Sequence, residues 1–161
     1  MPQAEQCIVK ALVVENSPTS QTAFAVDQVI VSLAGIDAQN IALGSVLCEP
    51  SHLVPVSSRF TARIVVFNID VPITRGFPVV YHQNSLSEQA VVRKLIAVVH
   101  RSTGEVLRSK PRCLTKNSSA VVVIEVAKPV CVELFKDVKE LGRFTLRAGG
   151  VTICAGMITE I

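Results

Sequence analysis

Residues 129–147 read PVCVELFKDVKELGRFTLR, and this stretch decides the fold. It spells a strand, a short charged turn and a second strand that opens at Gly142. Successive side chains of a β-strand point to opposite faces. Phe144 and Leu146 therefore share one face of the second strand, and Arg143, Thr145 and Arg147 share the other. An apolar face backed by a basic one suits a barrel wall whose outside meets a partner. It equally suits an ordinary solvated wall.

The same reading extends through residues 59–161. Short β-rich runs stand at 60–69, 77–82, 90–100, 120–127, 130–135, 142–147 and 152–158. Turn signals punctuate them at Thr74-Arg75-Gly76, Ser102-Thr103-Gly104 and Gly149-Gly150. No helical period of any length intervenes, with one helical turn expected at 137–140. Short strands spaced by turns predict an all-β antiparallel barrel or sandwich. Upstream, EPSHLVPVSS at 49–58 carries two prolines and small polar residues, so residues 50–58 read as a linker between domains. Before it, strands are expected at 7–14, closed by Glu15-Asn16-Ser17-Pro18, at 28–33, and at 45–48 after Leu43-Gly44.

Composition agrees with an ordered chain. Of 161 residues, 49% are hydrophobic and 18% charged, which marks an ordered globular chain rather than a disordered one and allows one sizeable core. Aromatics make up 4%, so Val and Ile carry the apolar content and favour strands. A net charge of +3 suits an RNA-rich neighbourhood without requiring one. Cys7, Cys48, Cys113, Cys131 and Cys154 are odd in number and form no C-x-x-C. They read as free thiols in a reducing, cytoplasmic compartment. Asn117-Ser118-Ser119 matches a glycosylation sequon, but no secretory signal precedes it. No apolar run reaches membrane-spanning length, so no membrane partner is expected.

Catalytic signals are absent from the pattern. His52, His82 and His100 are scattered, with no carboxylate or cysteine at ligand spacing, so no metal is expected. Gly149-Gly150 lacks a following helix and a Lys-Ser or Lys-Thr, which makes it a hairpin turn and not a phosphate cradle. The remaining signal is a basic loop. Arg101, Arg108, Lys110, Arg112 and Lys116 are opposed only by Glu105 over 101–116. Such loops are usually just solvated. Here, however, Pro111 stiffens Lys110-Pro111-Arg112, and a guanidinium on a stiff segment loses less entropy when it grips a carboxylate.

The wording VELFKD, then LGRFTLR, then GGVTICAG resembles the end of the third domain of the translational GTPases. That family includes elongation factor Tu, its eukaryotic elongation and release relatives, and the ribosome-rescue GTPase that works with Pelota. Upstream, VKAL, AFAVDQV, LAGID and GSVLC resemble the closing half of the family's second domain. The likeness thus runs from about Cys7 to the C-terminus. Within the family, FNIDVPITRGFP at 67–78 looks most like the rescue branch. Elongation factors usually carry a His-Thr pair where this chain has His82-Gln83-Asn84.

The resemblance implies a closed Greek-key barrel over 59–161, preceded by a partial second barrel over 1–49 that holds later strands only. The chain is on that ground expected to be a truncated or partial form. GTP, magnesium and hydrolysis belong to the family's GTPase domain, so no catalysis and no cofactor are expected here. The implied role is non-catalytic docking of a Pelota-like factor in rescue of stalled ribosomes and mRNA surveillance, with the ribosome reached through that complex. Alternatives are the same part of a release-factor GTPase bound to the class-one release factor, or an aminoacyl-tRNA-binding module. Implied partner-binding residues are Lys110, Arg112, Arg143, Thr145 and Arg147. Direct nucleic-acid binding is expected to be weak or absent, because no aromatic platform for single strands is evident.

Overall fold

The computed structural model describes residues 1–15 and 22–161, so most of the turn expected at Glu15-Asn16-Ser17-Pro18 lies outside the described residues. Two compact units divide the chain, Gln3–Ala42 on one hand and Met1–Pro2 with Leu43–Ile161 on the other.

In the smaller unit, β1 (Ile8–Val14) pairs antiparallel with β2 (Val29–Ala34), and the register shifts at Lys10. A 3-10 turn at Ala38–Asn40 is capped by Asp37, whose carboxylate accepts from the Gln39 N–H at 3.1 Å. Ile8 and Ile30 remain 64% and 67% exposed. Two strands bury little apolar surface and are at best marginal on their own.

The larger unit holds β3 (Val56–Val66), β4 (Ile73–Thr74), β5 (Phe77–Gln83), β6 (Leu86–Val99), β7 (Val106–Ser109) and β8 (Cys113–Leu114). There follow β9 (Ser119–Cys131), the short helix α1 (Lys139–Gly142), β10 (Arg143–Ala148) and β11 (Val151–Glu160). Six of these strands run in the order β5-β10-β11-β3-β9-β6, and β5 also pairs with β6. That last pairing closes an all-antiparallel barrel, which leaves these six strands without free edges. Sequence neighbours β3 and β5 lie apart in the ring, as do β9 and β10, so connections cross the barrel ends in Greek-key fashion. Outside the ring, β7 pairs with β6, and β4 with β8.

Several sequence expectations shift. Residues 45–48 form no strand, because Val46 exchanges a single pair of bonds with Met1, at 3.0 and 3.1 Å, and no ladder follows. The runs at 120–127 and 130–135 are one strand, β9. Its pairing to β3 jumps from Glu125 to Val130, so Pro129 sits where no ladder donor is needed. Ladder pairing with β9 also begins at Val56, inside the stretch read as a linker. The run at 90–100 starts earlier, at Leu86, through a two-residue turn in which Asn84 takes φ 50°. The helical turn lies at Lys139–Gly142, so β10 opens at Arg143. Gly142 closes that helix by donating to Val138 O at 2.9 Å. A Cβ there would stand 2.3 Å from the Phe135 Cα, which only glycine avoids.

Alternation fills the barrel from every wall. Phe60, Ile64, Tyr81, Val92, Val122, Ile124, Phe144, Leu146 and Ile158 are all buried inside it. Three rings form its centre, with Phe60–Tyr81, Phe60–Phe144 and Tyr81–Phe144 centroids at 5.5, 5.9 and 5.1 Å. Such tilted and edge-on contacts add to area burial. The Tyr81 hydroxyl, by contrast, is buried with no hydrogen-bond partner among the described residues. Burial also pushes its ionisation above the ordinary tyrosine range. A buried donor left unsatisfied costs about 1–3 kcal/mol. Tyr81→Phe keeps the ring contacts and is therefore expected to raise stability by about 1 kcal/mol. Chemical denaturation checks this, and a destabilised variant would mean that the hydroxyl is satisfied.

Candidate functional site

On β10 the two faces separate as the alternation requires. Phe144 and Leu146 are 4% and 0% exposed in the core, while Arg143 and Arg147 are exposed and Thr145 is half-buried outside. β10 lies between β5 and β11, with Thr145 paired to His82 on one side and to Ala155 on the other. A groove of about 460 Å3 opens over this wall. Its floor includes Val65, Ala155 and Met157, and its rim carries Arg63, Arg143 and His82. No carboxylate lines it. It can take a partner surface that offers apolar groups at the centre and acidic groups around them.

Arg63 is the residue that sequence reasoning missed. It sits on the outward side of β3, across β11 from β10. Its guanidinium donates to the carbonyls of His100 and Arg101 at 3.1 and 2.9 Å. Those carbonyls start the basic stretch, so Arg63 ties the beginning of 101–116 to the groove wall. Alternation from the buried Phe60 turns Arg63 outward, but nothing local in the sequence names the carbonyls at the end of β6, two strands away, as its partners.

The predicted basic residues fall into separate places. Arg143 and Thr145 share the groove. Arg147 does not, because its guanidinium folds over the hairpin and donates to Gly150 O at 2.5 Å. Lys110 and Arg112 lie on the segment after β7, both exposed. The stretch 101–116 is not wholly loop as expected, since Val106–Ser109 pairs with β6 and Lys110 N–H donates to Ile96 O at 2.8 Å. Pro111 is buried before Arg112, and Leu114, paired to Ile73, is buried after it. Arg112 is thus held between two anchored residues, in keeping with the stiffness read from the proline.

Other chemistry finds little footing. His100 Nδ1 meets the Ser102 hydroxyl at 3.1 Å and His52 lies 3.9 Å from Glu49. No group of three His, Cys, Asp or Glu side chains among the described residues could hold a metal. All five cysteines are free. Burial pushes the Cys154 thiol up to about 12 and raises Cys131 as well, which leaves both unreactive. No helix among the described residues is long and apolar enough to cross a membrane.

A second charged feature crosses three strands. Glu125 of β9 accepts from Arg59 of β3 at 2.6 and 3.0 Å, and from Arg93 of β6 at 3.0 and 3.1 Å. Hydrogen bonds from Arg93 and then Arg59 hold its carboxyl at about 2, below the ordinary 4.5. A carboxyl depressed on folding contributes stability that is complete above 4.5 and lost as pH falls through 2. Glu125→Gln is therefore expected to flatten the melting temperature between those two pH values while changing its shape little near neutrality. An unchanged acid branch in the variant's melts would show that the network does not contribute.

Comparison with known proteins gives a consistent set of likenesses. The family described as GTP-eEF1A C-terminal domain-like matches residues 59–159. "Protein HBS1" of Drosophila melanogaster is 52% identical over 98% of this chain, which spans 23% of that protein. The eukaryotic peptide chain release factor GTP-binding subunit of Candida maltosa is 30% identical over 100% of the chain and 23% of its own length. The crystal structure of Sup35 complexed with GDP superposes with a TM-score of 0.92 at 28% identity, covering 100% of this chain and 39% of that one. The chain therefore spans less than a quarter of the length of these curated relatives.

Proposed function

The chain belongs to the GTP-eEF1A C-terminal domain family of the translational GTPases, and from that premise we propose that it docks a Pelota-like factor for a ribosome-rescue GTPase. On this reading the barrel of 59–161 is the docking module, and residues 1–49 contribute later strands of a second barrel. GTP and magnesium are bound, and GTP hydrolysed, by a separate GTPase domain of the cytoplasmic parent. The ribosome is reached through the complex, in rescue of stalled ribosomes and mRNA surveillance.

The observation that carries the docking reading is the groove over β10, with Arg143 and Arg63 on its rim, apolar side chains on its floor and no carboxylate in its lining. Such a surface favours a protein partner with acidic residues around an apolar centre. The choice of branch rests on the higher identity to the Drosophila protein than to the Candida release-factor subunit. A termination role, with a class-one release factor in the groove, is the second reading, favoured by the 30% identity to the Candida maltosa release-factor subunit along the whole chain. A parallel pull-down of the chain against a Pelota-like protein, a class-one release factor and aminoacyl-tRNA tests both. Selective retention of the Pelota-like protein is expected. Selective retention of the release factor would transfer the function to termination, and retention of neither protein would remove the docking reading.

A further inference from the structure

The seven-stranded sheet ends outside the closed ring, at β7, which pairs with β6 alone. The Lys110 N–H donates to Ile96 O and the His100 N–H to Glu105 O, each at 2.8 Å. Bonded and unbonded pairs alternate along an antiparallel ladder. Ser109, opposite Ala97, and Val106, opposite Val99, therefore fall at unbonded positions and turn their N–H and C=O groups away from β6. No described residue bonds them on that side. All four residues of β7 are exposed, Val106 by 61% and Leu107 by 64%. Exposed aliphatic side chains beside free backbone groups make a template for another strand.

We propose that β7 accepts, as an added strand, an extended segment of a partner protein in which acidic and aliphatic residues alternate. In this mode the main chain supplies affinity and alternate side chains supply specificity. The two faces of β7 set that alternation. Arg108 lies opposite Val98, an outward position of β6, whereas Val106 lies opposite the inward Val99. An incoming strand thus meets a cation on one face and an aliphatic side chain on the other. Arg101, Arg108, Lys110 and Arg112 surround this edge, Glu105 is the one acidic residue of 101–112, and none of the four cations has an ion pair among the described residues. A second copy of the chain fits less well, because two β7 strands side by side set these cations against their own kind. Leu107 has no counterpart in the pairing to β6, and that irregularity, with the flanking charge, guards the edge against neutral and basic strands. The contact is separate from docking in the groove over β10, whose lining holds no residue of β7.

The test is backbone amide NMR of the 161-residue chain with a short peptide of alternating Glu and Val. At saturation the Val106 and Ser109 amides are expected to exchange with solvent at least about tenfold more slowly, while Lys110, already bonded, changes little. A peptide with Lys in place of Glu, and the acidic peptide methylated at alternate backbone nitrogens, are expected to protect neither amide. Val106→Pro deletes an N–H that the ladder does not use, so it is expected to abolish binding with a nearly unchanged melt. Arg108→Glu keeps every backbone group and is expected to weaken the acidic peptide about tenfold while strengthening the basic one. It decides alone should the proline variant fail to fold. No protection at Val106 and Ser109, equal protection by the basic peptide, or undiminished binding by either variant would overturn the proposal. So would protection of these amides that grows with chain concentration in the absence of peptide, since the occupant would then be a second copy. The pull-down that tests groove docking reads a different surface, so either inference can fail without the other.

Discussion

Phe144→Ala is expected to cost the barrel about 3–5 kcal/mol, whereas Arg143→Ala, one residue away, leaves the melting temperature nearly unchanged. The ring stands between Phe60 and Tyr81 at centroid distances of 5.9 and 5.1 Å, so truncation removes two aromatic contacts at once. Its tip also fills the space that a side chain on Gly156 would need, with the Phe144 Cζ 2.4 Å from where a Cβ would stand. Gly156 itself has no side chain to move into the void, so a cavity is expected to remain and to add to the lost burial. Arg143 makes no ion pair among the described residues and is exposed. Paired denaturation curves decide the matter. Similar losses for the two variants would mean that the faces of β10 are wrongly assigned.

The faces of β10 were legible because period-2 alternation is local, and Phe144 with Leu146 against Arg143 with Arg147 states it within five residues. The Gly149-Gly150 turn was legible for the same reason, with both glycines at positive φ (57° and 80°) between paired Ala148 and Val151. Closure of the ring was not. It depends on β5 pairing to both β6 and β10, partners separated from each other by some 50 residues, and the family resemblance supplied that topology. Short strands such as β4, β7 and β8 were missed because each exists only through its cross-strand partner. β7, for example, is held by Val98↔Arg108 and Val99↔Val106 and shows no run of its own. The helix was displaced by two residues because Gly142 looks like a strand opener, while its actual demand is close approach to Phe135.

The charged sites divide along the same line. Lys110 and Arg112 stood out as a basic run around a proline, which is a sequence feature. Arg63, and the Arg59–Glu125–Arg93 network, are cross-strand features. Arg59 and Glu125 are 66 residues apart, and only the register that sets them opposite one another brings them within 2.6 Å. The bulge that turns Arg93 and Lys94 out together is likewise invisible in an alternating run, since it is defined by the strand it fails to match.

The strongest functional consequence is expected at Arg112. If the exposed basic segment meets carboxylates of a Pelota-like partner, reversing this charge strands the partner's acidic group at a desolvated contact. Such a loss is worth about 2–5 kcal/mol of binding, so Arg112→Glu abolishes association or weakens it by orders of magnitude. The barrel survives the change, because Pro111 and Leu114 supply the burial on either side while Arg112 itself is exposed. Lys116→Glu, further along and past the Leu114 anchor, mainly slows association and lowers its salt dependence. Arg143→Glu acts at the other place, on the rim of the groove, and is expected to weaken binding as well. Arg147 already satisfies a carbonyl of its own hairpin and contributes least. Calorimetric titration of each variant with the partner, beside a thermal melt of each, separates these effects. Normal affinity for Arg112→Glu would take the segment after β7 out of the interface. The docking surface would then be the groove alone, with Arg143 and Arg63 as its cations, and reversing Arg143 would become the decisive substitution.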